Sequence, residues 1–178
     1  MNKHKKVVIF LIRFFVTYAL LFVIYATYLK NSQQKKPVFK TASVTTLVAN
    51  QTVFLLDIFK LNANAIQHEK ELSVKLLINN KYTARVIEGC NSISIIILFI
   101  AFIIAFAGSV KATIIYTLLG SAFIYGINVA RIAFLSFMIY KYPNQQDLLH
   151  NLVFPAIIYG AVFLLWVIWV NKFSKYKE

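Results

Sequence analysis

The chain has 178 residues, 60% of them hydrophobic and 14% charged, with a mean hydropathy of +0.69. A soluble domain carries about a quarter charged residues, so this composition excludes a water-facing globule and points to a lipid bilayer. A single cysteine, Cys90, excludes a disulfide framework and a cysteine-built zinc cluster, and the 3 scattered histidines supply tetrahedral zinc poorly. The net charge of +13, from 19 Lys and Arg against 6 Asp and Glu, does not indicate nucleic acid. Its basic residues flank apolar blocks and form no patch with stacking aromatics.

Residues 7–29 form the first apolar block, preceded by Lys3, Lys5 and Lys6. As a helix it is long enough to cross a bilayer core of ~30 Å. Its one charge, Arg13, is costly inside a span and is a secondary candidate for contact with a bundle partner or an anionic group. The stretch is too long for the apolar region of a signal peptide and lacks a small-residue cleavage site, so it is expected to be retained as an anchor.

Residues 30–89 are more polar. A basic connector over residues 30–40 is broken by Pro37. Beyond it Val44, Leu47, Val48, Phe54, Leu55, Ile58 and Leu61 recur at helical spacing, which predicts an amphipathic helix on the membrane surface. Two runs rich in β-formers, residues 72–78 and 82–88, flank Asn79-Asn80-Lys81 and predict a hairpin that delivers the chain to Cys90.

Residues 92–107 are almost pure Ile, Phe, Leu and Ala and form the second span. The third, residues 112–140, is apolar apart from Asn128 and Arg131. As one helix it measures ~43 Å, so it must tilt, bend or project into water. A polar run over residues 141–151 leads to the fourth span, residues 152–170, with Trp166 and Trp169 placed as an interfacial belt. The expectation is an all-α polytopic membrane protein, a single membrane domain over residues 1–178. It has about four transmembrane helices and a small extracytoplasmic helix-plus-β-hairpin segment over residues 30–89. Lys3, Lys5, Lys6, Lys111, Lys172, Lys175 and Lys177 then lie on one side and Lys141 alone in the short loop opposite, which puts both termini in the cytoplasm.

This topology brings Cys90, Arg131 and His150, from three separate segments, to the outer membrane level. Taken singly, each has a plain structural use. A cysteine at a helix start is ordinarily a small hydrophobe or an acylation site. An arginine near a span's end snorkels to headgroups, although Asn128 one turn earlier favours a polar face directed into the bundle. His150 serves as an ordinary loop residue, with Asp147 either capping the helix that follows or orienting the imidazole. Together they have the elements of acyl transfer: a thiol near the positive end of a helix dipole, an imidazole to carry its proton, and a guanidinium beside them.

Glu88-Gly89-Cys90-Asn91-Ser92 opens one apolar span, Asn128-Val129-Ala130-Arg131-Ile132 lies in the next, and His150-Asn151 opens the last. In order and spacing these segments resemble the exosortase/archaeosortase family, and the short four-span layout resembles its small type F exosortases. The similarity runs over residues 40–170. The resemblance implies a polytopic membrane cysteine transpeptidase acting on proteins that end in a short motif, a transmembrane helix and a basic tail. It implies Cys90 as nucleophile, Arg131 as the second catalytic member and His150 as the third; Asn91, Asn128 and Asp147, beside them in sequence or one helical turn away, are candidates for substrate-binding or supporting positions. Ser92 stands where that family often has glycine, which predicts a different local backbone. Many relatives have more spans, so a homo-oligomer or a partner is the expected way to complete a substrate groove.

The functional expectation is therefore an exosortase-like cysteine transpeptidase or protease of the bacterial inner membrane, with an extracytoplasmic active site, protein substrates, contact with membrane lipid, and no cofactor. The competing class is a non-enzymatic membrane adaptor that binds anionic lipid or partner helices. A small transporter subunit is disfavoured, because the polar residues gather at one face and leave the bilayer middle without a pathway.

Overall fold

The computed structural model describes residues 3–35, 37–106, 108–145 and 153–174. Asp147 and His150 lie outside the described residues. The chain is mostly helical. Three helices are long and apolar enough to cross a membrane, His4–Ser32, Val110–Lys141 and Pro155–Lys172. They belong to α1 (Lys3–Ser32), α4 (Val110–Lys141) and α5 (Phe154–Lys172). Between them lies α3 (Ile93–Ala105), a shorter apolar helix of 13 residues. At 1.5 Å per residue it spans only about 20 Å, less than a bilayer core.

The packing of α3 explains why a helix this short holds the bundle together. Ile97, Phe99, Ala101, Ile103 and Ala105 are buried on it, and α1, α4 and α5 all contact it. Against α1, Phe10 meets Phe106 at 4.5 Å between ring centroids and Phe102 edge-on at 6.0 Å. Against α4, Gly120 permits a close approach, since an added Cβ would lie 2.4 Å from Cζ of Phe99. Phe99, Ile103, Ile124, Val162 and Trp169 form the core of the bundle.

One sequence expectation is corrected here. Trp169 is fully buried, so it is part of the core and not of an interfacial belt. It fits because Gly108 has no side chain: a Cβ there would lie 2.8 Å from the Trp169 ring. Trp166 stacks on Phe102 at 4.3 Å. Arg13 is exposed, because the seam of α1 turned toward α3 runs through Phe10, Phe14, Tyr18 and Tyr25 and Arg13 falls beside it.

The segment between α1 and α3 is a compact cap. It comprises α2 (Ser43–Ile58) and a three-stranded antiparallel sheet of β1 (Ala63–Gln67), β2 (Ser73–Ile78) and β3 (Lys81–Ile87), in the order β1-β2-β3. The expected hairpin is β2 and β3. It turns at Asn79 and Asn80, with φ of 49° and 63°, the two left-handed positions that a two-residue hairpin loop needs and asparagine tolerates. A third strand, β1, extends the hairpin, pairing Ala63 with Ile78 and Gln67 with Val74.

The apolar stripe of α2 is divided between two faces. Val48, Ala49 and Leu56 are buried against the sheet and α4, while Leu47, Phe54 and Ile58 are exposed. The 32 residues of α4 carry it past the bundle. Val129, Ile132 and Ala133 then pack under the cap with Val74, Leu76, Ile78 and Val86. The length of α4 is thus used twice, first for the bundle and then as the floor of the sheet.

Candidate active site where the sheet enters the bundle

β3 ends at Ile87 and passes into a 3-10 turn, Glu88–Cys90, before α3 begins at Ile93. The connection is sharp because Ser92 has φ 62° and ψ −1°, the left-handed region. That is the backbone a glycine adopts freely, so the expected departure from the glycine-type backbone is not what Ser92 produces. The serine is buried, and its Oγ donates to the Asn91 carbonyl at 2.6 Å.

Asn91 is buried with every side-chain atom engaged. Its Oδ1 accepts from the amide of Ile93 at 3.0 Å, satisfying one of the free N–H groups that open α3. Its Nδ2 donates to the Tyr25 hydroxyl at 2.7 Å, to Glu88 Oε2 at 3.2 Å and to Thr45 Oγ1 at 3.3 Å. Glu88 in turn accepts from the amide of Ala42 through Oε1 at 3.0 Å and from the Thr45 hydroxyl through Oε2 at 2.6 Å. Ala42 is the N-cap of α2, so the carboxylate sits at the positive end of that helix. Sequence reasoning quoted Glu88 as part of a motif and gave it no role, and it overlooked Thr45 and Tyr25.

Between these anchors lies Cys90, half-buried, with a free thiol. Its carbonyl accepts from Asn128 Nδ2 at 2.7 Å, which ties the turn to α4. Arg131 is one helical turn further along the same face. Its guanidinium lies within electrostatic range of Cys90 and of Tyr159 of α5, and among the described residues its buried Nε has no hydrogen-bond partner. Among the described residues, nothing lies within 4 Å of where a Cβ on Gly89 would stand.

Of the six residues singled out from sequence, the structure brings together Cys90, Asn91, Asn128 and Arg131. His150 and Asp147 are outside the description. The described chain resumes at Val153, which packs with Leu135 of α4, one turn past Arg131. Among the described residues, no group of three His, Cys, Asp or Glu side chains gathers as a metal site.

The arrangement supplies a half-exposed thiol on a turn held from α1, α2 and α4, with a guanidinium in electrostatic reach and, among the described residues, none crowding the Cβ position of Gly89. Comparison with curated proteins and with solved structures returns no match. A family model described as transmembrane exosortase matches residues 8–170, a span that includes both membrane helices and cap. The chain belongs to the transmembrane exosortase family, a family of membrane-embedded sorting enzymes.

Proposed function

We propose that this protein is a cysteine transpeptidase acting at the extracytoplasmic edge of the bacterial inner membrane. On this reading it cleaves proteins that end in a short motif, a transmembrane helix and a basic tail. The observation that supports this reading is the Asn128 to Cys90 hydrogen bond, which ties the cysteine turn to the face of α4 that carries Arg131 one helical turn on.

The reaction is acyl transfer. Cys90 Sγ attacks the carbonyl carbon of the scissile peptide bond, and its proton passes to the imidazole of His150. Arg131 stabilises the negative charge that develops on the carbonyl oxygen. When the tetrahedral species collapses, the C–N bond breaks. The imidazolium returns the proton to the leaving amine, which departs with the transmembrane helix, and the thioester remains on Cys90. An amine or water then attacks the thioester and loses a proton to His150, and the sulfur leaves as the thiol. No step draws on a group other than these side chains, the substrate and the acceptor.

The test compares the C-termini of membrane proteins, by mass spectrometry, in cells carrying the wild-type chain and Cys90→Ala. A set of proteins should lose a C-terminal apolar helix in wild-type cells and retain it in the variant. Trapped wild-type enzyme should carry a hydroxylamine-sensitive acyl group on Cys90. Identical C-termini in the two strains would exclude the reading and leave a membrane adaptor, whose activity does not need the thiol.

A further inference from the structure

The described sheet ends at β3, whose second edge pairs with no strand. Along that edge runs a cleft of about 520 Å³, bounded on one side by Lys81–Arg85 and on the other by Leu135, Ile139 and Tyr140 of α4. An unpaired strand edge invites pairing with another chain, and here it borders an apolar wall. We propose that this edge receives the substrate as an added parallel strand and feeds its last extended residues to Cys90. The proposal rests on the transpeptidase reading above and specifies how that same site takes its substrate.

Continuity with the cysteine is what commits the cleft to this occupant. β3 is followed directly by Glu88-Gly89-Cys90, so a chain hydrogen-bonded along β3 arrives beside Gly89, where none of the described residues lies within 4 Å of the Cβ position. Backbone pairing suits a processing enzyme, since it grips any sequence able to extend while alternate side chains read the wall. A peptide bond inside a helix is shielded by its own hydrogen bonds. An added strand presents the bond unshielded.

The direction follows from the two ends of β3. At its start, Asn79 Nδ2 donates to the Tyr140 hydroxyl at 3.1 Å, near the far end of α4. Past its end, Cys90 meets Asn128, 12 residues back along that helix and so about 18 Å closer to the bundle. β3 therefore runs toward the bundle. A substrate whose span follows the scissile bond also approaches the bundle from N to C, so its strand lies parallel to β3. Alternate residues of that strand face Leu135 and Ile139, which favours apolar side chains at every second position.

The experiment uses the full chain with Cys90→Ala and a single new cysteine, Arg85→Cys or Ile87→Cys. Both positions are exposed and two residues apart on β3. The probe is a single-span reporter carrying the C-terminal tail of a protein that stays unprocessed in Cys90→Ala cells, with cysteine scanned through the residues before its span. Disulfide capture should peak at one position for Arg85→Cys, and at a position two residues nearer the span for Ile87→Cys. Proline scanned through the same tail should lower processing by wild-type enzyme with a period of two, roughly fivefold or more where an amide is lost to β3. A shift in the opposite direction, uniform capture, or no capture while Cys90→Ala still abolishes processing would overturn the strand alone. Processing that survives Cys90→Ala, or the absence of any accumulating protein, would overturn the transpeptidase reading and this inference with it.

Discussion

The side-chain amide of Asn128 donates to the backbone carbonyl of Cys90 across 2.7 Å, and Asn128 is 1% exposed. The bond fixes the height of the cysteine turn against α4 without touching the sulfur. Asn128 and Arg131 share one helix face, and on the transpeptidase reading the first holds the turn while the second supplies charge. Their spacing of three residues is what puts both on that face.

Asn128→Ala should therefore lower processing by about tenfold to a hundredfold with protein levels retained, because a carbonyl left unpaired costs ~1–3 kcal/mol and the turn loses its reference. Asn128→Asp should be no better than Ala, since a carboxylate only accepts and would face a carbonyl. Quantified immunoblots of substrate and enzyme check both. Wild-type processing in Asn128→Asp would show that the hydrogen bond does not position the turn.

Glu88 should prove sensitive to substitution for a structural reason. Three donors converge on its two oxygens. Glu88→Gln keeps the shape but must turn its NH₂ toward the Ala42 amide or toward Thr45 and Asn91. The expected loss is ~1–3 kcal/mol of stability in the cap. Thr45→Val removes one of the donors and should cost less. Thermal unfolding in detergent, read with protease sensitivity of residues 40–90, would separate the two variants. Equal stability of Glu88→Gln and wild type would remove the carboxylate from the framework.

Much of this fold was legible because it depends on local pattern. The Asn79-Asn80-Lys81 turn and its flanking β-formers marked β2 and β3, and a run of almost pure Ile, Phe, Leu and Ala marked α3. β1 was not legible: Ala63-Asn64-Ala65-Ile66-Gln67 has little β-character of its own and takes its conformation from the ladder of β2. Trp169 was misread for a similar reason. Its burial depends on Gly108, more than sixty residues away in sequence. At the site, Asn128 and Arg131 stood out by residue type and helical spacing and Cys90 as a cysteine at a helix start, while Asn91 was picked out only as part of the segment around Cys90. Glu88 was missed because Ala42 and Thr45 come from 46 and 43 residues upstream, a distance at which spacing has no meaning without the fold.

Ser92→Gly should fold at least as well as wild type. A non-glycine residue in the left-handed region costs about 1–2 kcal/mol, against which the serine recovers one hydrogen bond to Asn91. Ser92→Val should do the reverse, since a β-branched side chain is strained there and its site is buried. Melting temperatures in detergent would check the order Gly, Ser, Val. A valine variant as stable as glycine would mean that the backbone at position 92 is not left-handed.

Gly120→Ala should destabilise the bundle by about 1–3 kcal/mol, because the new methyl would overlap the fully buried Phe99 ring. Reducing the ring makes room, so Phe99→Leu should partly rescue Gly120→Ala although each change alone is harmful. Strict additivity in this double-mutant cycle would place the two residues out of contact.

Sidedness is decided by which end of the bundle meets the cytoplasm. Lys5 and Lys6 of α1, Lys111 of α4 and Lys172 of α5 all stand at one end, the arrangement expected of a cytoplasmic face. From Lys111 to Asn128 is 17 residues of helix, or about 26 Å, so Cys90 lies near the opposite edge of a ~30 Å core. In a Cys90→Ala background, Asn144→Cys should react with an impermeant maleimide applied to intact spheroplasts, and Lys111→Cys only after permeabilisation. Both positions are exposed. Ser174, by contrast, is a poor reporter because its hydroxyl is bonded to the Phe106 carbonyl at 2.9 Å and it is 7% exposed. The reverse labelling would turn Cys90, Arg131 and the open edge of β3 toward the cytoplasm. A substrate motif outside the cell could then never reach the thiol, and the transpeptidase reading would fail on geometry alone, whatever the reactivity of Cys90.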